Sequence, residues 1–294
     1  QHFVAMTCDQ ELAGKVNLIK SDKIQDLYNE VKAELLLSLA DSEDPLATDW
    51  LKYQEVITRK LVKKPIMMIP YSGTLYGISH AIEDYLYHQN LQLDWMTDDF
   101  AHNYFLAKKI VETVKKVCPK SSIIMQYLTD VAKCFGGESK IMKWNTPSKF
   151  YVNQNYYKLN SKRVKTKIGT STVRLSLTDV SSEVDKRKTS ISFASNFVHS
   201  LDAANVHLAL HKSKQKGLTN FTTIHDCFGS TAADIQEFIS CVKESFVEMY
   251  TDNLLDDLYD QAVEQLDKPQ RLPIPPILGD FNICEVLLAP YVFS

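Results

Sequence analysis

Asp226 follows a short β-type run, Phe221-Thr222-Thr223-Ile224, and the chain resumes after it as Cys227-Phe228-Gly229. That order puts His225 and Asp226 at the apex of a tight hairpin, with a carboxylate projecting from the sheet. A carboxylate so placed suits a hard divalent cation, and Mg²⁺ is usually held by one or two carboxylates together with substrate phosphates. A lone aspartate is then half of a site; the alternative is an aspartate that only stabilises its own turn. Far upstream, Arg59, Lys63, Met67 and Tyr71 follow one another at intervals of four, which lines them up on one helical face. Two cations one turn apart can grip a triphosphate while the ring beyond them meets a base or sugar. The alternative here is an exposed Arg/Lys pair of little consequence.

Several helices are needed to carry these groups. Apolar spacing predicts one over 24–39, a polar break at 41–49 that contains Pro45, and a second beginning near Trp50. A third runs over 97–117, with Phe100, Tyr104, Ile110, Val111 and Val114 as its apolar positions, and a fourth over 123–135 stops at Gly136-Gly137. In the last third, 196–210 reads as an amphipathic helix with Phe197, Leu201, Ala204 and Leu208 on one side. After the hairpin, Asp234 is expected to cap a long helix whose core face is Ile235, Phe238, Ile239, Val242, Phe246 and Met249.

Between Ser139 and Arg174 lie nine basic residues and no acidic one, interleaved with Trp144, Phe150, Tyr151, Tyr156 and Tyr157. Such a run is either a solvated basic face or a nucleic-acid groove, with cations for phosphates and rings for stacking. The overall charge does not decide, because 33 Lys plus Arg against 36 Asp plus Glu leave a net charge of -3. A chain of 294 residues, 45% hydrophobic and 23% charged, can bury one large core or two smaller ones. Its six cysteines form no CxxC pair and no His/Cys grouping, so neither zinc nor a disulfide framework is expected. No apolar run has the length of a membrane span. Gln1-His2-Phe3-Val4-Ala5-Met6 reads as the interior of a buried element, so the chain is expected to be a fragment.

Taken in order, Arg59-xxx-Lys63-xxxxxxx-Tyr71, then Asn196-Phe197-Val198-His199-Ser200-Leu201-Asp202, then Ile224-His225-Asp226-Cys227-Phe228-Gly229, closely resemble the single-subunit RNA polymerases of phage and mitochondria. Gln1-His2-Phe3 resembles the tail of that family's first catalytic motif, Trp144-Asn145-Thr146-Pro147 its Trp-x-Thr-Pro element, and Pro290-Tyr291-Val292-Phe293-Ser294 its aromatic carboxy terminus. The resemblance implies an α+β, predominantly helical fold, the palm and fingers of a right-hand polymerase with a short antiparallel palm sheet. It divides the chain into a partial palm at 1–20, fingers at 21–190 and a second palm portion at 191–294. The fingers would include a nucleotide-binding helix at 50–72 and the basic, aromatic segment at 139–174.

The implied activity is template-directed ribonucleotidyl transfer by a two-metal mechanism, with two Mg²⁺ ions and with DNA template, nascent RNA and ribonucleoside triphosphates as partners. Asp226 matches the second catalytic aspartate and metal ligand; the first precedes Gln1 in the family's pattern, so this chain alone is expected to be inactive. Lys63 matches the catalytic lysine, Arg59 its phosphate-binding companion, and Tyr71 the residue that selects ribose. His199 matches a histidine on the substrate side and His225 a support for the primer end. A monomer without membrane attachment, in a mitochondrion, is the implied setting. Ser72 departs from the glycine usual after the tyrosine, Pro65 and Pro70 interrupt the expected helix, and Lys149 and Tyr151 replace the usual Gly and Pro. Divergence of this degree is most similar to the polymerases of mitochondrial linear plasmids. A degenerate relative that only binds nucleic acid, and a related DNA polymerase, are the competing readings.

Overall fold

The computed structural model describes residues 1–91, 93–95, 100–224 and 226–293. Among these residues it is mostly helical, with three antiparallel two-stranded sheets. In chain order the helices are α1 (His2–Thr7), α2 (Gln10–Lys15), α3 (Leu27–Ala40), α4 (Pro45–Lys52), α5 (Arg59–Met68), α6 (Leu75–His88), α7 (Phe100–Val117) and α8 (Pro119–Gly137). Strands β1 (Met142–Asn145), β2 (Tyr151–Gln154), β3 (Tyr157–Ile168) and β4 (Ser171–Val184) follow. The chain then forms α9 (Lys186–Gln215), β5 (Phe221–Ile224), β6 (Cys227–Ser230), α10 (Ile235–Thr251) and α11 (Leu254–Gln265).

Two large hydrophobic cores, and a small third one made by Ala209, Phe238 and Val242, organise the described elements. One gathers Val31, Leu35 and Leu39 of α3, Trp50 of α4, Leu61, Val62 and Ile66 of α5, Ile78 and Ile82 of α6, and Leu106 and Ile110 of α7. The other joins α1 to α8, α9, α10 and α11 through Phe3, Leu128, Phe135, Phe193, Phe197, Leu201 and Phe246. All six residues of α1 are buried, as the opening apolar run predicts. Burial of large apolar side chains at roughly 25 cal/mol per Å² is what holds such helices in place, since short helices are marginal in isolation.

The expected helix at 50–72 is three pieces. Pro45 occupies the first turn of α4 under an Asp44 cap, so this helix starts earlier than Trp50; proline is favoured there because its missing N–H would be unbonded anyway. At Tyr53 the chain turns, which lets α4 and α5 each pack on α3. Thr58 then caps α5 by accepting from the Leu61 amide, and the helix runs through Pro65 to Met68. The carbonyl bonds Ser72 N to Ile69 O and Gly73 N to Met68 O close it with the paired pattern of a left-handed helix ending. Tyr71 therefore lies in the closing turn, beyond the helix that carries Arg59, Lys63 and Met67. Gly73 is required here: an added Cβ would stand 2.7 Å from the Met68 carbonyl oxygen.

Other expectations shift as well. Phe100 and Tyr104 are exposed, and α7 instead buries Asn103, Leu106, Ala107, Ile110 and Thr113; Thr97 lies outside the described residues. The helix expected at 196–210 is the middle of α9, whose 30 residues begin under a cap from Asp185 to the Lys188 amide. Asp234 stands at the start of α10 without capping it, because its carboxylate accepts from the Thr231 hydroxyl. On α10, Phe238, Val242, Phe246 and Met249 are buried as expected, but Ile239 is exposed.

Candidate active site

The short hairpin β5–β6 pairs Ile224 with Cys227, which leaves Asp226 at its apex and exposed to solvent; His225 lies outside the described residues. Phe221 and Phe228 anchor the two strands on Phe238 of α10, with ring centroids 5.9 and 6.1 Å apart. Gly229 allows the strands to close, since an added Cβ would fall 2.9 Å from the Thr222 methyl. From the far end of the chain, Phe293 packs against Phe228 and Phe246. Asp226 makes no hydrogen bond or ion pair with any described residue. A concavity of about 330 Å³ is lined by Asp226 together with Phe228, Ile235, Ile239, Lys243 and Phe293.

On α5, the buried Leu61, Val62, Pro65 and Ile66 turn the opposite face outward, and that face carries Arg59, Lys60, Lys63 and Lys64. Arg59 Nε is ion-paired with Asp26, the residue that caps α3. Arg59 and Lys63 also lie over the ring of Tyr28, 5.1 and 5.6 Å from its centroid. Lys63, Met67, Tyr71 and Gly73 line a concavity of about 430 Å³. Tyr71 reaches across to α9, where its ring lies 4.7 Å from that of His199. The Ser72 hydroxyl donates to the Ile191 carbonyl of the same helix, and Ser72 adopts the left-handed φ of 58° that a glycine would take more easily.

Electrostatics link the two sides. Burial raises the pKa of Tyr28 above the usual tyrosine value, Arg59 opposes the shift, and the charges of Asp26 and Asp226 add to it. Burial likewise raises Tyr71, helped by Asp202, Asp226 and Tyr28. Arg59 and Lys63 thus lie over Tyr28, Tyr71 lies against His199, and the charge of Asp226 acts on both tyrosines; α5 belongs to the first core, α9 to the second, and the hairpin that carries Asp226 rests on the small third one around Phe238. Tyr28 and Asp26 lie outside the motifs quoted above, whereas Asp202 and His2 lie within them without an assigned role. His2 Nε2 lies 2.7 Å from Asp202 and its other ring nitrogen contacts Tyr250, a buried network that ties α1 to α9 and α10.

The basic segment proves to be strands. Trp144 is core, its indole N–H donating to Ser200 Oγ at 3.0 Å, so its element serves to fasten β1 to α9. Beyond it, β3 and β4 form a long exposed ribbon closed by Gly169 and Thr170. Its register places Arg163, Lys165, Lys167 and Arg174 on one face and Val164, Ile168, Val173, Leu175 and Leu177 on the other. Lys165 stands directly opposite Arg174, a like-charge pairing that weakens the ribbon.

The family model described as DNA-dependent RNA polymerase matches residues 1–275 of this chain. The chain belongs to that family. Its relatives include the mitochondrial DNA-directed RNA polymerase 1B of Nicotiana tabacum, 29% identical over 100% of this chain and 29% of the relative. The chloroplastic/mitochondrial polymerase 2 of Arabidopsis thaliana is 28% identical over all of this chain and 29% of its own length. The polymerase of Enterobacteria phage K11 is 29% identical, again over the whole chain and 38% of its own. This polymerase chain is therefore of the single-subunit, phage type, and it spans between 29% and 38% of these relatives' length.

Two-metal chemistry requires hard oxygen ligands, and no group of three or more His, Cys, Asp or Glu side chains capable of holding a metal occurs among the described residues. The unengaged carboxylate of Asp226 nevertheless fits a Mg²⁺ ion that shares its coordination with substrate phosphates. No helix among the described residues is long and apolar enough to cross a membrane.

Proposed function

We propose that this polymerase chain supplies the palm and fingers surfaces for template-directed ribonucleotidyl transfer from nucleoside triphosphates along a DNA template. The observation that carries the reading is that Arg59 and Lys63 lie over Tyr28 while Tyr71 lies against His199 and the charge of Asp226 acts on both tyrosines, groups that come from segments far apart in sequence. Asp226 would hold Mg²⁺, which when bound activates the attacking hydroxyl of the nascent RNA and stabilises charge at the phosphate under attack. Lys63 and Arg59 neutralise the triphosphate, and Lys63 is placed to hand a proton to the departing pyrophosphate. Tyr71, seated on His199, meets the sugar and distinguishes ribose from deoxyribose. His225 supports the primer end. The divisions at 1–20, 21–190 and 191–294, a monomeric state, a mitochondrial setting and a linear-plasmid origin belong to the same proposal; the mitochondrial relatives support the setting.

The test is primer extension with Mg²⁺ by a chain lengthened to match the relatives. Ribonucleotides should be incorporated in preference to deoxyribonucleotides, and Asp226→Ala should abolish synthesis. Normal extension by that variant would sink the assignment. The chain as it stands should be inactive, since the described residues offer a single suitably placed carboxylate. A second reading, binding of nucleic acid without catalysis, is favoured by the cationic face of the ribbon. It requires salt-sensitive binding that survives replacement of Lys63 and Asp226, together with no extension by the lengthened chain.

A further inference from the structure

We propose that Tyr28 is a positioning residue whose ring seats Arg59 and Lys63 for the triphosphate while leaving the lysine's charge unspent. The inference rests on the phosphate-binding reading of α5 and extends it to a residue outside the sequence motifs. A flexible lysine head loses freedom when it grips a ligand, and that loss is smaller if the head is already held. Holding it with a carboxylate would cancel the charge and set up a competitor for the phosphates. The face of an aromatic ring attracts a cation without neutralising it.

The surroundings of Tyr28 match this description. Lys63 makes no ion pair with any described residue, whereas neighbouring Lys64 is paired with Asp84 at 3.4 Å. Its ammonium stands 5.6 Å from the Tyr28 ring centroid, and the guanidinium of Arg59 5.1 Å from the same ring. Arg59 has donors to spare, so its Nε can bind Asp26 while its outer edge remains available. The ring itself is fixed from below. Its backbone N–H donates to Asp26 Oδ1 at 3.0 Å, and its body packs on the core formed by α3 to α7. One aspartate thus starts α3, holds the arginine and orients the first turn that presents the tyrosine.

Calorimetric titration of this chain with inorganic triphosphate, without magnesium, tests the idea apart from catalysis. Tyr28→Phe keeps the ring and should bind as the unaltered chain does; Tyr28→Leu should bind about tenfold more weakly, the scale of two cation–π contacts. Phenylalanine analogues of increasing fluorination at position 28 preserve shape while draining the ring face of electron density. Affinity should fall stepwise along that series, a response that a purely structural role would not produce and that does not depend on the leucine variant folding. A flat series, or a phenylalanine variant as weak as the leucine one, would overturn the seat while leaving the phosphate site standing. Absence of triphosphate binding by the unaltered chain, with Arg59→Gln and Lys63→Gln equally silent, would instead remove the phosphate site, and the seat with it.

Discussion

Two hairpins leave the body of this protein, and they are built on opposite plans. β5–β6 has four residues in each strand and is fastened from below by Phe221 and Phe228 on Phe238. β3–β4 has strands of 12 and 14 residues and little beneath it, with Leu159, Ile168, Leu177 and Val180 more than half exposed. The short one ends in a bare carboxylate; the long one spreads four cations along a face. Under the proposed function Asp226 must be held within a fraction of an ångström, which a stub over the core provides. A surface that meets a polymer gains reach from length and tolerates movement.

Four measurements would break or sharpen this contrast. The largest effect belongs to the stub's tip: Asp226→Asn in the lengthened chain should lower the rate of nucleotide addition by about a thousandfold or more, with nucleic-acid affinity unchanged or improved. A ribbon variant with an equal loss of rate would erase the distinction between the hairpins. Next, Phe238→Ala should cost about 3–5 kcal/mol in chemical denaturation, because its fully buried ring supports both short strands. The exposed Ile168→Ala at the ribbon's end should stay within about 0.5 kcal/mol, and a cost approaching that of Phe238→Ala would mean the ribbon is packed after all. Third, each of Arg163, Lys165, Lys167 and Arg174 replaced by Gln should reduce the slope of log affinity against log salt for duplex DNA by about 0.9 where its cation meets a phosphate. Unchanged slopes for all four would make that face a solvated surface. The smallest effect is expected from Lys165→Thr, which removes the repulsion from Arg174 and should slow amide hydrogen exchange in the ribbon by the equivalent of a few tenths of a kcal/mol, about 0.2–1 at most.

The stub was legible in the amino-acid order because β-type residues flank a tight turn, and the turn residue is the one that could do chemistry. The ribbon was not. Val164, Ile168, Val173 and Leu175 share one face in a period of two, but Lys162 and Thr166 fall on the same face and blur the alternation. Gly169, at a φ of 61°, was the available signal for its closing turn. Intervals of four put Tyr71 on a helical face, whereas Ser72 ends that helix with a left-handed turn and the ring meets His199 instead. Tyr28 could not be found by any local pattern, because its importance arises only when α3 lies against α5. Ile239 and Tyr104 fit helical spacing but face outward, since spacing identifies a stripe and packing decides how wide it is.

The hydroxyl of Ser72 ends on the Ile191 carbonyl, six positions along α9 from its cap at Asp185, and Asp185 is the residue on which β4 hands over to that helix. Ribbon, helix and the Tyr71 ring are consequently coupled in series, like a lever with its fulcrum in the second core. An axial slip of α9, whatever its origin, would drag the turn after α5 with it and alter how tightly Tyr71 leans on its histidine neighbour.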